Sequence, residues 1–192
     1  MRRKRWRFRM REKDMQLNVY QKQYEKYIKV RDGAEVFLRP MKHSDEELWL
    51  ELYNSLSSMS KYYRFFTTRP SPPTPEMIDK YVHIDYVNNF ALVALVTEDD
   101  RERMVGVARY VLDPPPDSAE IAVTVADDWQ LRGLGTKMLM HLLQIMIKRK
   151  VKWVHGDIFL ENRKMMQLMR ESGFKLTKKE DSSGIRHFEL QL

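Results

Sequence analysis

The segment from residue 119 to residue 150 constrains the fold of this chain most strongly. An apolar stretch runs from Ala119 to Ala126, and a loop with glycines at positions 133 and 135 leads into a helix-forming stretch that ends near Lys150. A strand that passes through such a loop into a helix forms an anion cradle. The first helical turn leaves N–H groups without partners, and the helix dipole adds about half a positive charge there. The sequence therefore predicts an α/β fold with a phosphate-binding turn.

Two common phosphate-binding motifs do not fit this loop. In a P-loop the last glycine is followed by Lys and then Ser or Thr, whereas Gly135 is followed by Thr136 and Lys137. In the dinucleotide motif a third glycine stands where this chain has Met138. The loop has a different spacing, Gln130-Leu-Arg-Gly133-Leu-Gly135, with Arg132 and Lys137 able to add charge at the rim.

The rest of the chain reads as alternating strands and helices. Ser44 and Glu47 are spaced as a capping box for a helix whose apolar stripe is Leu48, Leu52 and Leu56. Predicted strands are residues 35–39, 90–96, 104–112, 119–126 and 151–159, followed by a final pair after Gly173. Predicted helices start near residues 45, 58, 75, 133 and 162. We expect the long helix to bury one face, formed by Met138, Leu139, Leu142, Ile145 and Met146.

Charge is distributed unevenly along the chain. The formal net charge is +7, but residues 1–31 hold 12 Lys and Arg against 3 Asp and Glu, whereas residues 32–192 are net negative by 2. We interpret residues 1–33 as a basic N-terminal extension and residues 34–192 as one domain. The extension, with Trp6 and Phe8 among its arginines, is typical of a solvated tail or short surface helix. An alternative is contact with phosphates, bases or an anionic membrane surface.

Several classes of protein are excluded or disfavoured. The chain has no cysteine, which excludes disulfides, thiolate metal sites and a cysteine nucleophile. The five histidines lack metal-ligand spacing, so no metal is expected. No apolar run of about 18 residues exists, so no membrane span is predicted. The basic start lacks the apolar stretch of a secretory signal, and we expect a cytoplasmic location by default.

The loop together with a later segment identifies a family. Gln130-Leu-Arg-Gly133-Leu-Gly135 matches the pyrophosphate signature [Gln/Arg]-x-x-Gly-x-[Gly/Ala] of the GCN5-related N-acetyltransferases, the GNAT superfamily. The segment from Asn162 to Phe174 resembles that family's second signature in length and in Asn162, Leu168, Gly173 and Phe174. The resemblance covers residues 34–192. It implies a mixed, largely antiparallel twisted sheet flanked by helices, with two splayed strands that hold acetyl-CoA.

The resemblance also assigns the residues that hold acetyl-CoA. By position, Val123 and Val125 look like the backbone contacts to pantetheine, and Asn162 looks like a side-chain contact to the same arm. The pyrophosphate contacts are expected from the loop, namely Gln130, Leu131, Arg132, Gly133, Leu134, Gly135 and Thr136. Two structural alternatives stand beside these assignments: the glycines shape a turn, and Asn162 caps a helix.

Acetyl transfer to an amine needs a base, because a lysine amine with a pKa of about 10.4 is protonated at neutral pH. Glu120 is the candidate, since strand alternation puts Glu120, Ala122 and Thr124 together on a small, polar face. The alternative is a glutamate that merely faces solvent. The family usually carries a tyrosine that protonates the departing thiolate, but Met169 occupies its position here. Tyr63, Tyr81, Tyr86 and Ser172 are possible substitutes.

The opening of the domain narrows the resemblance. Val36-Phe-Leu-Arg39-Pro40 and Ser60-Lys-Tyr-Tyr-Arg64-Phe65-Phe66 are similar to bacterial and archaeal protein lysine acetyltransferases of the Pat type, which act on acyl-CoA synthetases. There Arg64 is expected to cap a carbonyl or to line the acceptor site. A protein lysine acetyltransferase is thus the first hypothesis. An N-acetyltransferase of polyamines or aminoglycosides is the second, and a non-catalytic module that senses acyl-CoA or binds nucleic acid is the third. The negative charge of the domain disfavours a nucleic acid partner.

Overall fold

A computed structural model describes residues 19–67, 72–178 and 184–192. The interpretation of Trp6 and Phe8 in the tail therefore lies outside the described residues. Among the described residues no helix is both long and apolar enough to cross a membrane.

In the described part of the chain, eight strands form a single sheet in the order β1-β2-β3-β4-β5-β6-β8-β7. Every neighbouring pair is antiparallel except β5 and β6, which are parallel. The strands are β1 (Lys26–Lys29), β2 (Glu35–Pro40), β3 (Asn89–Glu98), β4 (Arg101–Leu112), β5 (Ser118–Val125), β6 (Trp153–Phe159), β7 (Lys175–Lys178) and β8 (Ile185–Gln191). The predicted mixed, largely antiparallel sheet is confirmed.

Five helices flank this sheet. They are α1 (Glu46–Ser55), α2 (Ser58–Phe65), α3 (Pro75–Val82), α4 (Leu134–Lys148) and α5 (Arg163–Glu171). Helix α4 packs over β4, where the Met138 sulfur closes on the backbone of Gly106. Its predicted apolar face is confirmed as core, since Met138, Leu139, Leu142, Ile145 and Met146 are all buried.

Helix α1 begins differently from the prediction. Residues His43–Asp45 form a short 3-10 turn, so the helix starts at Glu46 and Ser44 is not its N-cap. The reason is that Asp45 is buried and bound elsewhere. Its carboxylate accepts two hydrogen bonds from the Arg39 guanidinium, at 2.7 and 2.8 Å, and one from the Lys42 backbone N–H at 2.7 Å. The chain is thereby fixed by a buried ion pair and by the bond from Lys42 to Asp45, and not by the predicted Ser44–Glu47 capping box.

The basic extension contributes to the sheet. Strand β1, which lies within residues 1–33, pairs with β2 from Lys26 opposite Leu38 to Lys29 opposite Glu35. Tyr24 and Val30 on either side of this strand are buried in the core. The packed part of the molecule therefore begins well before residue 34, the boundary that the charge distribution indicates. The β1–β2 turn, residues 31–33, also reaches a part of the molecule about 100 residues away in sequence.

Candidate active site

A cleft opens where β5 and β6 separate. The two strands pair only from Ser118 opposite Trp153 to Glu120 opposite His155. Beyond that pair β5 continues to Val125 along β4, and β6 continues to Phe159 along β8. The gap has a volume of about 790 Å³ and is lined by these two strands and by α2, α5 and the loop before α4. The predicted splayed pair of strands is therefore present.

The free edge of β5 presents backbone groups to this cleft. The Ala126 N–H donates to the Val105 carbonyl across β4, so the N–H and C=O of Val125 point the other way, into the gap. Strand alternation orients the backbone groups of Val123 in the same direction. Part of this edge is already used, because the Gln130 side-chain amide donates to the Val125 carbonyl at 3.2 Å.

The loop before α4 has the geometry of an anion cradle. Leu131 and Gly133 have positive φ angles of 63° and 82°, which turn the chain sharply into the helix. No side chain caps α4, and its first internal hydrogen bond runs from the Lys137 N–H to the Gly133 carbonyl. The N–H groups of Leu134, Gly135 and Thr136 in the first turn therefore have no partner within the helix. An added Cβ at Gly135 would meet only ordinary contacts, at 3.6 and 3.7 Å.

Most of the predicted acetyl-CoA residues line the cleft, and two do not. Those that line it are Val123, Val125, Gln130, Leu131, Gly133, Gly135, Thr136 and Asn162. Leu134 is buried in the core, so it can offer only its backbone. The side chain of Arg132 turns away, because its Nε donates to Asp32 at 2.5 Å and its guanidinium stacks over Trp129 at 3.7 Å.

Helix α5 closes one side of the cleft. Asn162 caps this helix, with its Oδ1 accepting from the Met165 N–H at 3.2 Å, and it also lines the cleft. The capping alternative is thus correct, and it leaves the Asn162 amide nitrogen available. Lys164 on the same turn donates to the Gln130 side-chain oxygen at 2.8 Å, which ties α5 to the cradle.

Glu120 lies at the closed end of the gap with an exposed side chain. Its negative charge acts on two nearby arginines, Arg64 and Arg109. Burial lowers the pKa of Arg64, and Tyr81 and Glu120 oppose that shift by stabilising its charged form. Burial and the neighbouring Arg64 lower the pKa of Arg109 to about 10, again against Tyr81 and Glu120. Arg109 was not predicted from the sequence, because its position in an apolar strand gives no signal of a site.

Arg64 and Arg109 hold different places around Glu120. Arg109 is buried and donates to the Asn89 side chain at 2.8 Å and to the carbonyls of Lys80 and Tyr81 at the end of α3. Arg64 lines the cleft and lies over the Tyr81 ring at 5.3 Å. Arg64 therefore lies at the wall of the cleft.

Aromatic side chains of α2 cross the mouth of the gap. Tyr62 stacks on Phe159 at the end of β6, with ring centroids 4.5 Å apart, and Phe66 lies 4.7 Å from the same ring. Asp127 fixes the start of α2 by accepting from the Ser57 N–H and hydroxyl, both at 2.9 Å, and from the Ser60 hydroxyl at 2.7 Å. The β5–α4 connection therefore fixes the position of α2 relative to the cradle.

The candidates for the missing tyrosine are now separated. Met169 is buried against the cleft, as the match to the second signature implies. Tyr63 and Tyr81 line the cleft, whereas Tyr86 is buried elsewhere and donates to the Met41 carbonyl at 2.7 Å. Ser172 does not line the cleft. Burial raises the pKa of Tyr63, and Glu161 and Tyr62 add to this effect.

Charge differs between the two ends of the cleft. Arg31 and Lys164 stand near the cradle, whereas Glu120 on β5 and Asp157 on β6 line the cleft from the strands themselves, and Glu161 follows the end of β6. The same sheet face continues through two histidine–carboxylate pairs: His187 contacts Asp157 at 2.9 Å and His155 contacts Asp113 at 2.7 Å. Both imidazoles are partly exposed, so this face of β6 and β8 is open to solvent. No cluster of metal ligands occurs among the described residues.

Comparisons with known proteins agree with this geometry. The family described as acetyltransferase (GNAT) domain matches residues 35–175. A protein described as acetyltransferase PA5475 from Pseudomonas aeruginosa is 33% identical over 143 residues, which is 74% of this chain and 76% of that protein. Acetyltransferase Pat of Mycolicibacterium smegmatis is 29% identical over 147 residues, 76% of this chain, but this match spans only 43% of the relative.

A solved structure shows the same fold. The GNAT domain of S. lividans PAT superimposes with a TM-score of 0.82 and 26% sequence identity. The match covers 91% of this chain and all of that domain. The splayed strands and the loop before α4 therefore belong to an architecture that is shared along almost the whole chain.

Proposed function

The chain belongs to the acetyltransferase (GNAT) domain family, and from that premise we propose that it transfers acetyl from acetyl-CoA to lysine ε-amines of a protein such as an acyl-CoA synthetase. Glu120 is the general base in this proposal. The observation that carries it is the position of Glu120 in the cleft, where its exposed carboxylate lies at the last pair of the β5–β6 ladder.

The donor half of the proposal rests on backbone geometry. Unpaired N–H groups at the start of α4 suit the pyrophosphate of acetyl-CoA, and the free edge of β5 at Val123 and Val125 suits the amides of the pantetheine arm. The Asn162 amide can donate to the same arm. A backbone N–H on this edge that reaches the thioester oxygen would polarise the carbonyl and stabilise the charge that forms on it.

The acceptor half rests on charge and exposure. Glu120, Asp157 and Glu161 attract an ammonium group, and Tyr63 and Tyr81 provide aromatic walls. The half-exposed face of β6 and β8 beside Glu120 leaves room for residues on both sides of an acceptor lysine. The resemblance to Pat-type enzymes in the segment around Arg64 supports the same class of acceptor.

The reaction is a direct transfer in a ternary complex. Glu120 removes a proton from the lysine ammonium, directly or through water, and the neutral amine attacks the thioester carbon. The tetrahedral intermediate then collapses, the C–S bond breaks and CoA leaves as a thiolate. The attacking nitrogen loses its second proton as the amide forms, and this proton and the one held by Glu120 pass to solvent and to the thiolate.

Replacing the base tests the mechanism. In Glu120→Gln we expect kcat to fall about a hundredfold or more while acetyl-CoA affinity, measured by titration calorimetry, is retained. The matched control is Glu47→Gln, which makes the same change on the exposed side of α1. Full activity of Glu120→Gln at neutral pH would remove Glu120 from the mechanism.

A panel of acceptors tests the substrate class. We expect acetylation of an acyl-CoA synthetase protein, detected by mass spectrometry as an acetylated lysine, at a much higher kcat/KM than with spermidine or an aminoglycoside. A preference for spermidine would instead mean that the carboxylates of the cleft bind a polyamine. CoA binding without turnover of any acceptor would support the non-catalytic hypothesis.

A further inference from the structure

The turn between β1 and β2 brings an arginine to the cradle. The Arg31 N–H donates to the Arg132 carbonyl at 2.9 Å, which fixes the turn against the loop before α4. The Arg31 side chain lies directly over Gly133, where a Cβ would be 3.2 Å from its Cγ and 3.4 Å from its Nε. Arg31 is exposed and lines the same cleft as Gly135 and Thr136.

No described part of the chain neutralises the charge of Arg31. Its Nη1 lies 3.5 Å from the Leu131 carbonyl oxygen, a distance too long for a strong hydrogen bond. No carboxylate pairs with Arg31 within residues 19–67, 72–178 and 184–192. Arg132 is the opposite case, because Asp32 and Trp129 hold its guanidinium outside the cleft lining. The guanidinium that faces the cradle is therefore that of Arg31.

We infer that Arg31 binds a phosphate group of the acyl-CoA donor, and that Arg132, which lies inside the family signature, serves to position the turn that carries Arg31. This inference rests on the proposed donor half of the cleft and adds a residue from outside the family match, which begins at residue 35. A guanidinium suits this role because its forked donors fit phosphate oxygens in pairs. The N–H groups of α4 and the Arg31 side chain then approach the anion from two different segments.

Donors that differ only in their phosphates test the inference. In Arg31→Ala we expect KM for acetyl-CoA to rise about tenfold, as for loss of a hydrogen bond to a charged group at an exposed site. With S-acetyl-pantetheine, which has no phosphate of this kind, KM should be unchanged by the substitution. Acetyl-3′-dephospho-CoA distinguishes the pyrophosphate from the 3′-phosphate. If Arg31→Ala still raises KM with this donor, Arg31 binds the pyrophosphate, and if KM is unchanged, it binds the 3′-phosphate.

Binding of CoA gives a readout that needs no acceptor. The Kd of CoA, measured by calorimetry, should weaken about tenfold in Arg31→Ala and lose part of its dependence on salt, with Arg31→Lys in between. The control Lys29→Ala removes one positive charge from the exposed side of β1 and should leave Kd unchanged. Failure to acetylate any protein would overturn the proposed acceptor but not this result.

Two outcomes would overturn the inference. An equal loss with acetyl-CoA and S-acetyl-pantetheine would mean that Arg31 only supports the loop. An unchanged Kd for CoA in Arg31→Ala would mean that the guanidinium does not reach a phosphate. The backbone bond from Arg31 to Arg132 does not depend on the side chain, so the variant keeps the turn, and its melting temperature checks that it is folded.

Discussion

Glu120 on β5 stands opposite His155 on β6 in the last register pair of a parallel ladder that spans three pairs. The two strands separate immediately beyond this pair, so the candidate base lies at the apex of the gap. A donor along the free edge of β5 and an acceptor on the face of β6 would meet at this apex. In the proposed mechanism the carboxylate removes a proton at this apex, and that role can be tested through the pH dependence of the rate.

We predict that Glu120→Gln changes the slope of the pH–rate profile as well as the rate. With an enzymic base that accepts a proton from the ammonium, kcat/KM is nearly level from neutral pH up to the pKa of the amine, because the reacting ammonium form stays populated over that range. Without it, only the neutral amine reacts. The rate should then rise about tenfold per pH unit up to the lysine pKa of about 10.4. Initial rates between pH 6 and 10 check this, and parallel profiles for both proteins would contradict it.

A second prediction concerns the leaving thiolate. Raised pKa values keep the Tyr63 phenol protonated at neutral pH, so it is competent as a proton donor, and Met169 is not. We expect Tyr63→Phe to lower kcat roughly tenfold without changing the Kd of acetyl-CoA. Tyr62→Phe is the control, since Tyr62 belongs to the same aromatic cluster but does not line the cleft. Equal kcat values in Tyr63→Phe and the unsubstituted protein would show that the thiolate leaves without this donor.

The two glycines of the cradle should respond differently to alanine. Gly133 has a φ of 82°, and an added Cβ would press on Arg31, so Gly133→Ala should lower the free energy of unfolding by about 1 kcal/mol. The same substitution should weaken CoA binding, because it displaces the Arg31 side chain. At Gly135 the Cβ meets only ordinary contacts, so we expect Gly135→Ala to be stable within about 0.5 kcal/mol. Chemical denaturation measures both, and equal losses would contradict the assignment.

Local patterns were enough to predict the parts of the site that are continuous in sequence. The cradle, the α4 stripe and the position of Glu120 each depend on spacing within one strand, loop or helix. Arg31 and Arg109 could not be found in this way. Arg31 meets the cradle about 100 residues away, and the short strand before it, Lys26–Lys29, has no apolar alternation strong enough to mark it as part of the sheet.

The Ser44 capping box illustrates a second limit. Its spacing was correct for a cap, but Asp45 makes a stronger interaction with Arg39, which lies on a different element. Side chains that form ion pairs between different elements override local helix signals, because a buried charge must be compensated wherever its partner lies. Charge does not mark where the core begins for a related reason, since Tyr24 and Val30 bury apolar surface within a basic segment.

The buried Arg39–Asp45 pair carries a prediction about stability. Both side chains are almost completely buried, so removing one partner leaves a buried charge without compensation. We expect Asp45→Ala to lower the free energy of unfolding by about 3 to 5 kcal/mol. Replacing both residues by apolar ones of similar size, as in Arg39→Met with Asp45→Leu, should recover most of that loss.

Chemical denaturation of the two variants would decide whether the ion pair or the hydrogen bond from the Lys42 N–H accounts for the loss of stability. If the double variant is as unstable as Asp45→Ala, the hydrogen bond to the Lys42 N–H rather than the charge pair accounts for the loss.

The ionisation of Asp127 leads to a prediction about how the stability of the protein depends on pH. Burial opposes ionisation of Asp127, but hydrogen bonds from the Ser57 N–H and from the Ser60 and Ser57 hydroxyls hold its pKa below the ordinary value. A carboxylate with a depressed pKa in the folded state stabilises the fold above its unfolded pKa of about 3.9. That contribution is lost as the pH falls through the folded value. Asp127→Asn should therefore destabilise the protein by about 1 kcal/mol at pH 7, and this difference should shrink as the pH falls below the unfolded pKa of about 3.9. A constant difference between pH 7 and pH 3 in urea denaturation would show that Asp127 anchors α2 by shape alone.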